Sequence, residues 1–366
     1  MKANSRQSRI ILILFLIFLL NPELFAKEKI SKTIKKEFFA GKGILLTVEN
    51  KFGHVNINNW DKESIYFEII ISVEFPDKST GEKILNYIDV DFINNSDEIK
   101  VITKFDEKFS RSGFKLFSSE GNEQKKFSVD YSIYMPKNIK LNLVNKFGSV
   151  FIDEITERSN IEVKYGALIA NKILWENIKP YSQVTLEHSK GYIGECRWLT
   201  LNTKHSVEVK IDKSQALLIF SDNSKIHIEE GSSIVARTRF GKISAGSINN
   251  LVCISAHTNY QVENIFNKIE ITNQHGGINI ANVPQNFESI IVRNVHGNIE
   301  IGIDPEASYK LTGVLKQCKI KYPESSQITK ILKKNISNIS GIIGQNTNPS
   351  AYIRITSDHG FVKLTR

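Results

Sequence analysis

The sequence predicts an all-β protein, a β-helix-like β-solenoid of stacked coils of about 18 residues each, behind an N-terminal antiparallel β-rich cap. Three observations predict this fold. A short motif recurs along the chain, apolar and polar residues alternate within each copy, and the copies follow one another at similar steps. The chain has 366 residues, 41% hydrophobic and 24% charged, which is typical of globular proteins and excludes disordered, collagenous and polytopic membrane proteins.

The repeated motif is an apolar strand, a polar pair, an aromatic or histidine residue, a glycine, any residue, and an alternating apolar strand. We name the aromatic or histidine position the marker. A unit this short holds two or three strands and no helix, so the copies must stack to bury their apolar faces. Clear copies occupy residues 48–57, 143–152, 161–170, 236–245, 271–280, 291–301 and 355–364. The predicted markers between the second and sixth of these are Phe147, Tyr165, His188, His205, Asn223, Phe240, Asn259, His275 and His296, at fairly even steps along the chain.

A glycine follows most markers. Glycine adopts positive φ without steric cost, so we expect these glycines to form the sharp turn of each coil at positive φ. The predicted turn glycines are Gly53, Gly148, Gly166, Gly241, Gly276, Gly297 and Gly360.

The chain begins with a basic and polar segment, followed by an unbroken apolar run over residues 10–20. Eleven residues cross only about half of a ~30 Å hydrocarbon core, so the run is typical of a secretory signal peptide. Leu24 and Ala26 suit cleavage after residue 26. We therefore expect residues 1–26 to be removed, leaving no transmembrane anchor, and the protein to reach the periplasm, the cell surface or the medium. An uncleaved N-terminal anchor is the alternative.

Three further regions are predicted behind the signal peptide. Residues 27–140 form the cap, with long antiparallel strands at 65–75, 88–92, 99–104 and 127–135, a helix at 80–88 and a charged loop at 105–126. Residues 141–310 hold the solenoid repeats. Residues 311–366 close the other end with a short amphipathic helix at 325–334 and final strands, because open ends would expose unpaired strand edges.

The phrase VENKFGHVNINNWDKESI, a strand ending at Pro136 and the later N-x-x-G-x-I-x-I copies resemble bacterial putative adhesin domains of unknown function. These are exported repeat-β proteins related to the head-GIN type. The resemblance covers about residues 40–310 and the last fifteen, and it implies a β-repeat fold and adhesion without any established ligand residue. The chain departs from the pattern in the loop at 105–126 and at the glycine position, which carries Ser189, Ser206, Ser224 and Tyr260.

The sequence contains none of the common nucleophile, zinc-protease, phosphate-loop or dinucleotide motifs, so we expect no enzymatic activity and no cofactor. His275 and His296 are candidate metal ligands, because imidazoles on neighbouring coils could share zinc or copper. The alternative is that they replace aromatic rings packed over the turn.

The three cysteines do not suggest a disulfide framework. Cys196 and Cys253 lie about three coils apart, roughly 14 Å at strand spacing, whereas a disulfide needs Cα atoms within about 7 Å. We expect them to be unbonded.

The formal net charge is +9, but lysines are scattered singly among acidic residues, and no specific nucleic-acid site is expected.

The leading hypothesis is a non-enzymatic cell-envelope protein whose rigid surface serves adhesion, binding or assembly. Its expected partner is an envelope polysaccharide or protein. A polysaccharide-active enzyme on a β-helix scaffold, or an envelope sensor or regulatory partner, is the alternative.

Overall fold

The computed structural model describes residues 28–75, 77–111, 126–177, 179–324 and 327–365. It is all-β, with 73% of the described residues in strands and 3% in helices, and its strands form a large mixed sheet. The predicted signal peptide and its cleavage site, and most of the loop at 105–126, lie outside the described residues. No helix among the described residues is long and apolar enough to cross a bilayer.

The described residues divide into two compact units. The first contains residues 28–32, 71–89 and 105–128, as far as these are described, and the second contains the rest. The helices are α1 (Lys78–Leu85) and α2 (Glu107–Arg111). The strands are β1 (Glu28–Phe39), β2 (Leu45–Lys51), β3 (Val55–Asn59), β4 (Ser64–Phe75), β5 (Ile88–Asn94), β6 (Glu98–Phe105), β7 (Lys126–Met135), β8 (Lys140–Lys146), β9 (Val150–Ile155), β10 (Ser159–Lys164), β11 (Ala167–Ile173), β12 (Ser182–Glu187), β13 (Lys190–Lys204), β14 (Val209–Gln274), β15 (Ile278–Val283), β16 (Ser289–Val295), β17 (Ile299–Ile303), β18 (Tyr309–Lys321), β19 (Ile328–Lys333), β20 (Ile336–Ile343) and β21 (Tyr352–Thr365).

Helix α1 confirms the predicted helix at 80–88, shifted two to three residues toward the N terminus. Asp77 caps it, because its carboxylate accepts a hydrogen bond from the Thr80 N–H at 2.8 Å. Ile84 and Leu85 on its inner face are buried. The helix therefore begins at its capping residue and is stabilised by one apolar face.

Parallel pairing dominates the second unit. One ladder joins the strands before each marker, and a second joins the strands after it. In the first, β8 pairs with β10 at a sequence offset of 18, β10 with β12 at 23, and β12 with β13 at 17. In the second, β9 pairs with β11 at 18 and β11 with β13 at 23. These offsets equal the steps between successive markers in the sequence. The spacing of the repeats therefore sets the register in which neighbouring strands pair. Isoleucine, valine and leucine at alternate positions form the buried core.

Two expectations about the regions 27–140 and 311–366 are wrong. β6 pairs in parallel with β2, and β7 with β3, so these parts of the region 27–140 are not antiparallel. β2 and β3, which contain the repeat copy at 48–57, pair with β8 and β9 at a sequence offset of 95, so this copy continues both ladders. The residues expected to be a helix at 325–334 include strand β19, because β20 supplies an antiparallel partner along its whole length.

The C-terminal strand enters the sheet between earlier strands. β21 pairs in parallel with β16 and β17 on one side and with β18 on the other, and β20 continues the sheet antiparallel to β18.

Cys196 and Cys253 are buried and unbonded, as expected. Burial raises the pKa of each thiol to about 12, which keeps both protonated.

Candidate functional site: an exposed column of rings

A single column of side chains follows the turns of the second unit. At each turn one residue other than glycine adopts the left-handed conformation, with φ between 48° and 66°. The residues of this column are Phe52, Phe147, Tyr165, His188, His205, Asn223, Phe240, His257, His275, His296 and His359. From Tyr165 onward they are all exposed. The left-handed conformation is sterically unfavourable for a residue with a bulky side chain, so the fold must compensate its cost here.

Ring stacking provides that compensation. Phe52, Phe147, Tyr165, His188 and His205 form one series of stacked rings with centroids 4.9 to 5.1 Å apart. A second series runs from Phe240 through three histidines to His359, with centroids 4.7 to 5.0 Å apart. Asn223 separates the two series and contacts His205 Nδ1 through its amide nitrogen at 2.9 Å. The spacing is that of neighbouring parallel strands.

His257 is the marker that sequence reasoning misses. The motif assigns this position to Asn259, but only His257 has positive φ and stacks on both Phe240 and His275. With His257 the steps from Phe240 and to His275 become nearly equal, and the aligned glycine position is Thr258 rather than Tyr260. A stricter requirement for constant steps could have found it.

The structure places the candidate metal ligands His275 and His296 in direct contact. Their rings stack with centroids 5.0 Å apart and planes 5° apart. Nitrogen lone pairs lie in the ring plane, so in this arrangement they run parallel and do not converge on one ion at zinc–nitrogen distance. Among the described residues, no group of three or more histidine, cysteine, aspartate and glutamate residues is placed to hold a metal.

The seven predicted turn glycines lie at the turns, but the expectation of positive φ is wrong. The positive φ belongs to the preceding marker. Glycine is required there because the strands approach too closely for a side chain. A Cβ atom would lie 1.9 to 2.3 Å from a neighbouring carbonyl oxygen at each of Gly53, Gly148, Gly166, Gly241, Gly276, Gly297 and Gly360.

Two side-chain arrangements hold these turns. In three of the glycine-bearing repeats, a buried asparagine two residues before the marker donates to glycine carbonyls: Asn273 and Asn294 do so to Gly276, and Asn145 does so to Gly53 and Gly148 at 3.1 and 2.9 Å. Where serine replaces glycine, hydroxyl groups accept backbone hydrogen bonds from the neighbouring repeat. Ser206 Oγ accepts from the Ser189 N–H at 3.3 Å, and Ser224 Oγ accepts from the Ser206 N–H at 3.0 Å. Serine thus has a structural role in the turn.

In five consecutive repeats, the residues directly before the markers alternate in the sign of their charge. The row runs through Lys164, Glu187, Lys204, Asp222 and Arg239. Lys164 contacts Glu187 at 3.1 Å, and Arg239 contacts Asp222 at 2.6 Å. Each of these five repeats therefore has a complementary charge on a neighbour, whereas Lys51, Lys146 and Lys164 of the same row are like charges paired with one another.

The ion pairs of this row make the folding stability depend on pH in the acidic range. The hydrogen bond from Lys164 lowers the pKa of Glu187, and that from Arg239 lowers the pKa of Asp222. A carboxylate with a lowered folded-state pKa stabilises the fold above its unfolded pKa and loses that contribution as pH falls through the folded value. We expect the melting temperature to fall on acidification below about pH 4. The double variant Glu187→Gln/Asp222→Asn should show a shallower fall than Glu208→Gln/Glu263→Gln, and equal slopes would contradict this assignment.

Open grooves flank the column on both sides between Tyr165 and His257. One, of about 690 Å³, lies on the strands before the markers and includes exposed Phe220, Arg237 and Ile254. The other, of about 630 Å³, lies on the strands after the markers and includes exposed Ile169 and Val207. Within the described residues, Arg237 has no ion-pair partner, so its charge is available to a ligand.

The column itself can be tested at His275, which stacks on two rings. Each aromatic contact contributes about 0.5–1.5 kcal/mol, whereas asparagine tolerates left-handed φ and valine does not. We expect His275→Val to lower the free energy of unfolding by about 1–3 kcal/mol more than His275→Asn does. Urea denaturation measures both. Equal stabilities of the two variants would exclude backbone strain at this position.

A comparison with models of protein families and with curated proteins finds no match. Among solved structures, a putative cell adhesion protein from Clostridium sporogenes is similar at 10% identity and a TM-score of 0.18, covering 91% of this chain and 99% of that one. A putative adhesin from Parabacteroides distasonis is 11% identical with a TM-score of 0.32, covering 91% and 97%. A putative lipid binding protein from the same organism is 11% identical with a TM-score of 0.31, covering 91% and 96%. Putative adhesins thus occur among the structures similar to this chain.

Proposed function

We propose that this chain is an exported, non-enzymatic protein of the cell envelope whose parallel repeats form a β-solenoid and present a periodic surface for adhesion, binding or assembly. One observation carries the proposal. The same offset governs both parallel ladders, so equivalent side chains recur in rows at strand spacing, with the ring column flanked by two open grooves.

A periodic surface suits a ligand that is itself extended. Each repeat offers a similar weak contact, and several contacts to one chain or surface raise the overall affinity without any single strong site. Catalysis instead requires unlike groups that converge on one reacting centre. The ring column of this protein repeats one kind of side chain along most of its length, which favours binding to an envelope polysaccharide or protein. Export is supported by the apolar run at 10–20 and by its basic flank.

Crosslinking in intact envelopes tests this function, with the groove before the markers as the site to alter. In the double variant Phe220→Ser/Ile254→Ser, loss of apolar contact should reduce the crosslinked fraction at least about fivefold, the equivalent of about 1 kcal/mol. The control Val235→Ser/Phe266→Ser changes exposed apolar residues outside this groove and should leave the fraction unchanged.

Two results would contradict the proposal. One is equal crosslinking by wild type and groove variant. The other is the release of new reducing ends when purified protein is incubated with envelope polysaccharide, which would favour the polysaccharide-active enzyme.

A further inference from the structure

The strands β18, β19 and β20 carry an unusual concentration of positive charge. Residues 309–343 contain one glutamate, Glu324, and seven lysines, although lysine and arginine outnumber aspartate and glutamate by only nine in the whole chain. All seven lysines are exposed, and they are Lys310, Lys316, Lys319, Lys321, Lys330, Lys333 and Lys334. In the described part of the chain, only Lys316 among them makes an ion pair, with Asp358 at 2.9 Å.

Strand register places apolar residues between these lysines on one face. Ile336 is paired with Lys316 on β18 and with Lys333 on β19, so it lies between two lysines. Asn338 is paired with Val314 and with Ile331 in the same way. Directly paired residues share a face of the sheet, as do residues two apart. We name this surface the lysine face; it comprises Lys310, Val314, Lys316, Ile331, Lys333 and Ile336.

The apolar members of the lysine face are exposed. Val314 is 49% exposed, Ile331 51% and Ile336 38%. Leu332, on the opposite face of β19, is 68% exposed. Several exposed apolar side chains close together indicate a contact surface, whereas single ones are normal.

Protection of the sheet edge explains only part of this charge. Lysines on an edge strand prevent pairing with other chains, and Lys330 and Lys333 on β19 suit that role. Over residues 309–316, β18 is an internal strand between β21 and β20, yet this part carries Lys310 and Lys316. Their presence requires another reason.

We propose that the lysine face docks on an anionic phospholipid surface. Lysine ammonium groups would contact lipid phosphates, while their long aliphatic stems and the side chains of Val314, Ile331 and Ile336 enter the headgroup region. Lysine is depleted from the centres of protein–protein interfaces, which disfavours a protein partner here. A soluble acidic polymer would satisfy the charges but leave the apolar residues in water.

Vesicle flotation tests the proposal, with every protein carrying the same N terminus. We compare vesicles of phosphatidylcholine alone with vesicles of two parts phosphatidylcholine to one part phosphatidylglycerol. Wild type should bind the anionic vesicles at least about tenfold more tightly. The double variant Lys310→Gln/Lys333→Gln removes two lysines of the lysine face that make no ion pair, and it should lose at least about tenfold in affinity for these vesicles. The control Lys140→Gln/Lys213→Gln removes the same charge from exposed lysines elsewhere and should retain binding.

A second pair of variants separates lipid from a soluble polyanion. Ile331→Thr/Ile336→Thr keeps β-branched residues in the strands and should weaken anionic vesicle binding severalfold. Val235→Thr/Ile93→Thr changes exposed apolar residues outside the lysine face and outside both grooves, and it should not weaken this binding. Circular dichroism and melting temperature verify that each variant folds.

Equal binding to both vesicle types, unchanged binding of the lysine-face variants, or an equal loss in the controls would overturn the proposal. So would binding to soluble polyphosphate that is as tight as vesicle binding and indifferent to Ile331 and Ile336. Because the probe is pure lipid, failure here leaves the envelope crosslinking of the groove unaffected.

Discussion

Replacing Gly276 with alanine will lower the free energy of unfolding by at least about 3 kcal/mol, at the upper end of the cost of overpacking. A Cβ atom at this position would lie 2.0 Å from the Thr258 carbonyl oxygen and 2.8 Å from Asn273 Nδ2. The obstacle is backbone of the neighbouring repeat, so it cannot rotate away as a flexible side chain could. Urea denaturation measures the loss.

Gly277→Ala is the matched control at the next residue. There a Cβ atom would lie no closer than 3.6 Å to the nearest atom beyond the adjoining residues, Asn259 Oδ1, and φ is not left-handed. We expect a change within about 1 kcal/mol, because ordinary contact costs little and the unfolded chain loses some of its freedom.

We also expect the destabilisation caused by Gly276→Ala to be local. Repeats contact mainly their neighbours, so Gly276→Ala should reduce amide-exchange protection first over roughly residues 257–297. Similar effects of Gly276→Ala and Gly277→Ala, or uniform loss along the chain, would contradict the close-approach explanation.

Removing the Asn145 side chain should cost about 2–4 kcal/mol, because several buried hydrogen bonds are lost at once. Its amide nitrogen donates to the carbonyls of Gly53 and Gly148, and its oxygen accepts from Asn50 Nδ2 at 3.1 Å. The residue is fully buried, so Asn145→Ala leaves these groups without water to replace the lost partner.

Two comparisons define this effect. Asn142→Ala on the same strand removes an exposed contact with Asn160 and should cost less than about 1 kcal/mol. Asn145→Asp keeps the shape but cannot donate when ionised, so it should destabilise as strongly as alanine. Wild-type stability of Asn145→Asp in thermal and urea denaturation would refute the role of the donated bonds.

The period of the motif is sufficient to predict the all-β class and most turn positions, and the apolar runs between the first two copies predict the strands at 65–75 and 99–104. Period-two alternation and a recurring turn are local properties, visible in the order of residues. The motif alone assigns the marker of one repeat to Asn259 instead of His257, because both residues suit a turn, and only the evenness of the steps along the chain favours His257. The close contact between His275 and His296 also follows from the period.

The conformation of the turn required the structure. Sequence reasoning assigns positive φ to glycine because glycine tolerates that conformation best. In the fold the marker residue has the positive φ, because this conformation lets its ring stack on neighbouring rings at 4.7 to 5.1 Å. The glycine leaves space for a backbone carbonyl of the neighbouring repeat. Both requirements arise only when repeats are stacked.

The sequence by itself thus determined the β class, the repeat length and the position of the turns, because these depend on residues close together in the chain. Only the tertiary structure decided that β2 and β3 stack on β8 and β9, that β21 lies between β16 and β18, and that residues 328–333 form a strand. It also brought the lysines of β18 and β19 onto one surface. Pairing at sequence separations of 95 or 63 is decided by which exposed edge is available in the folded sheet, and no local period in the sequence records that choice.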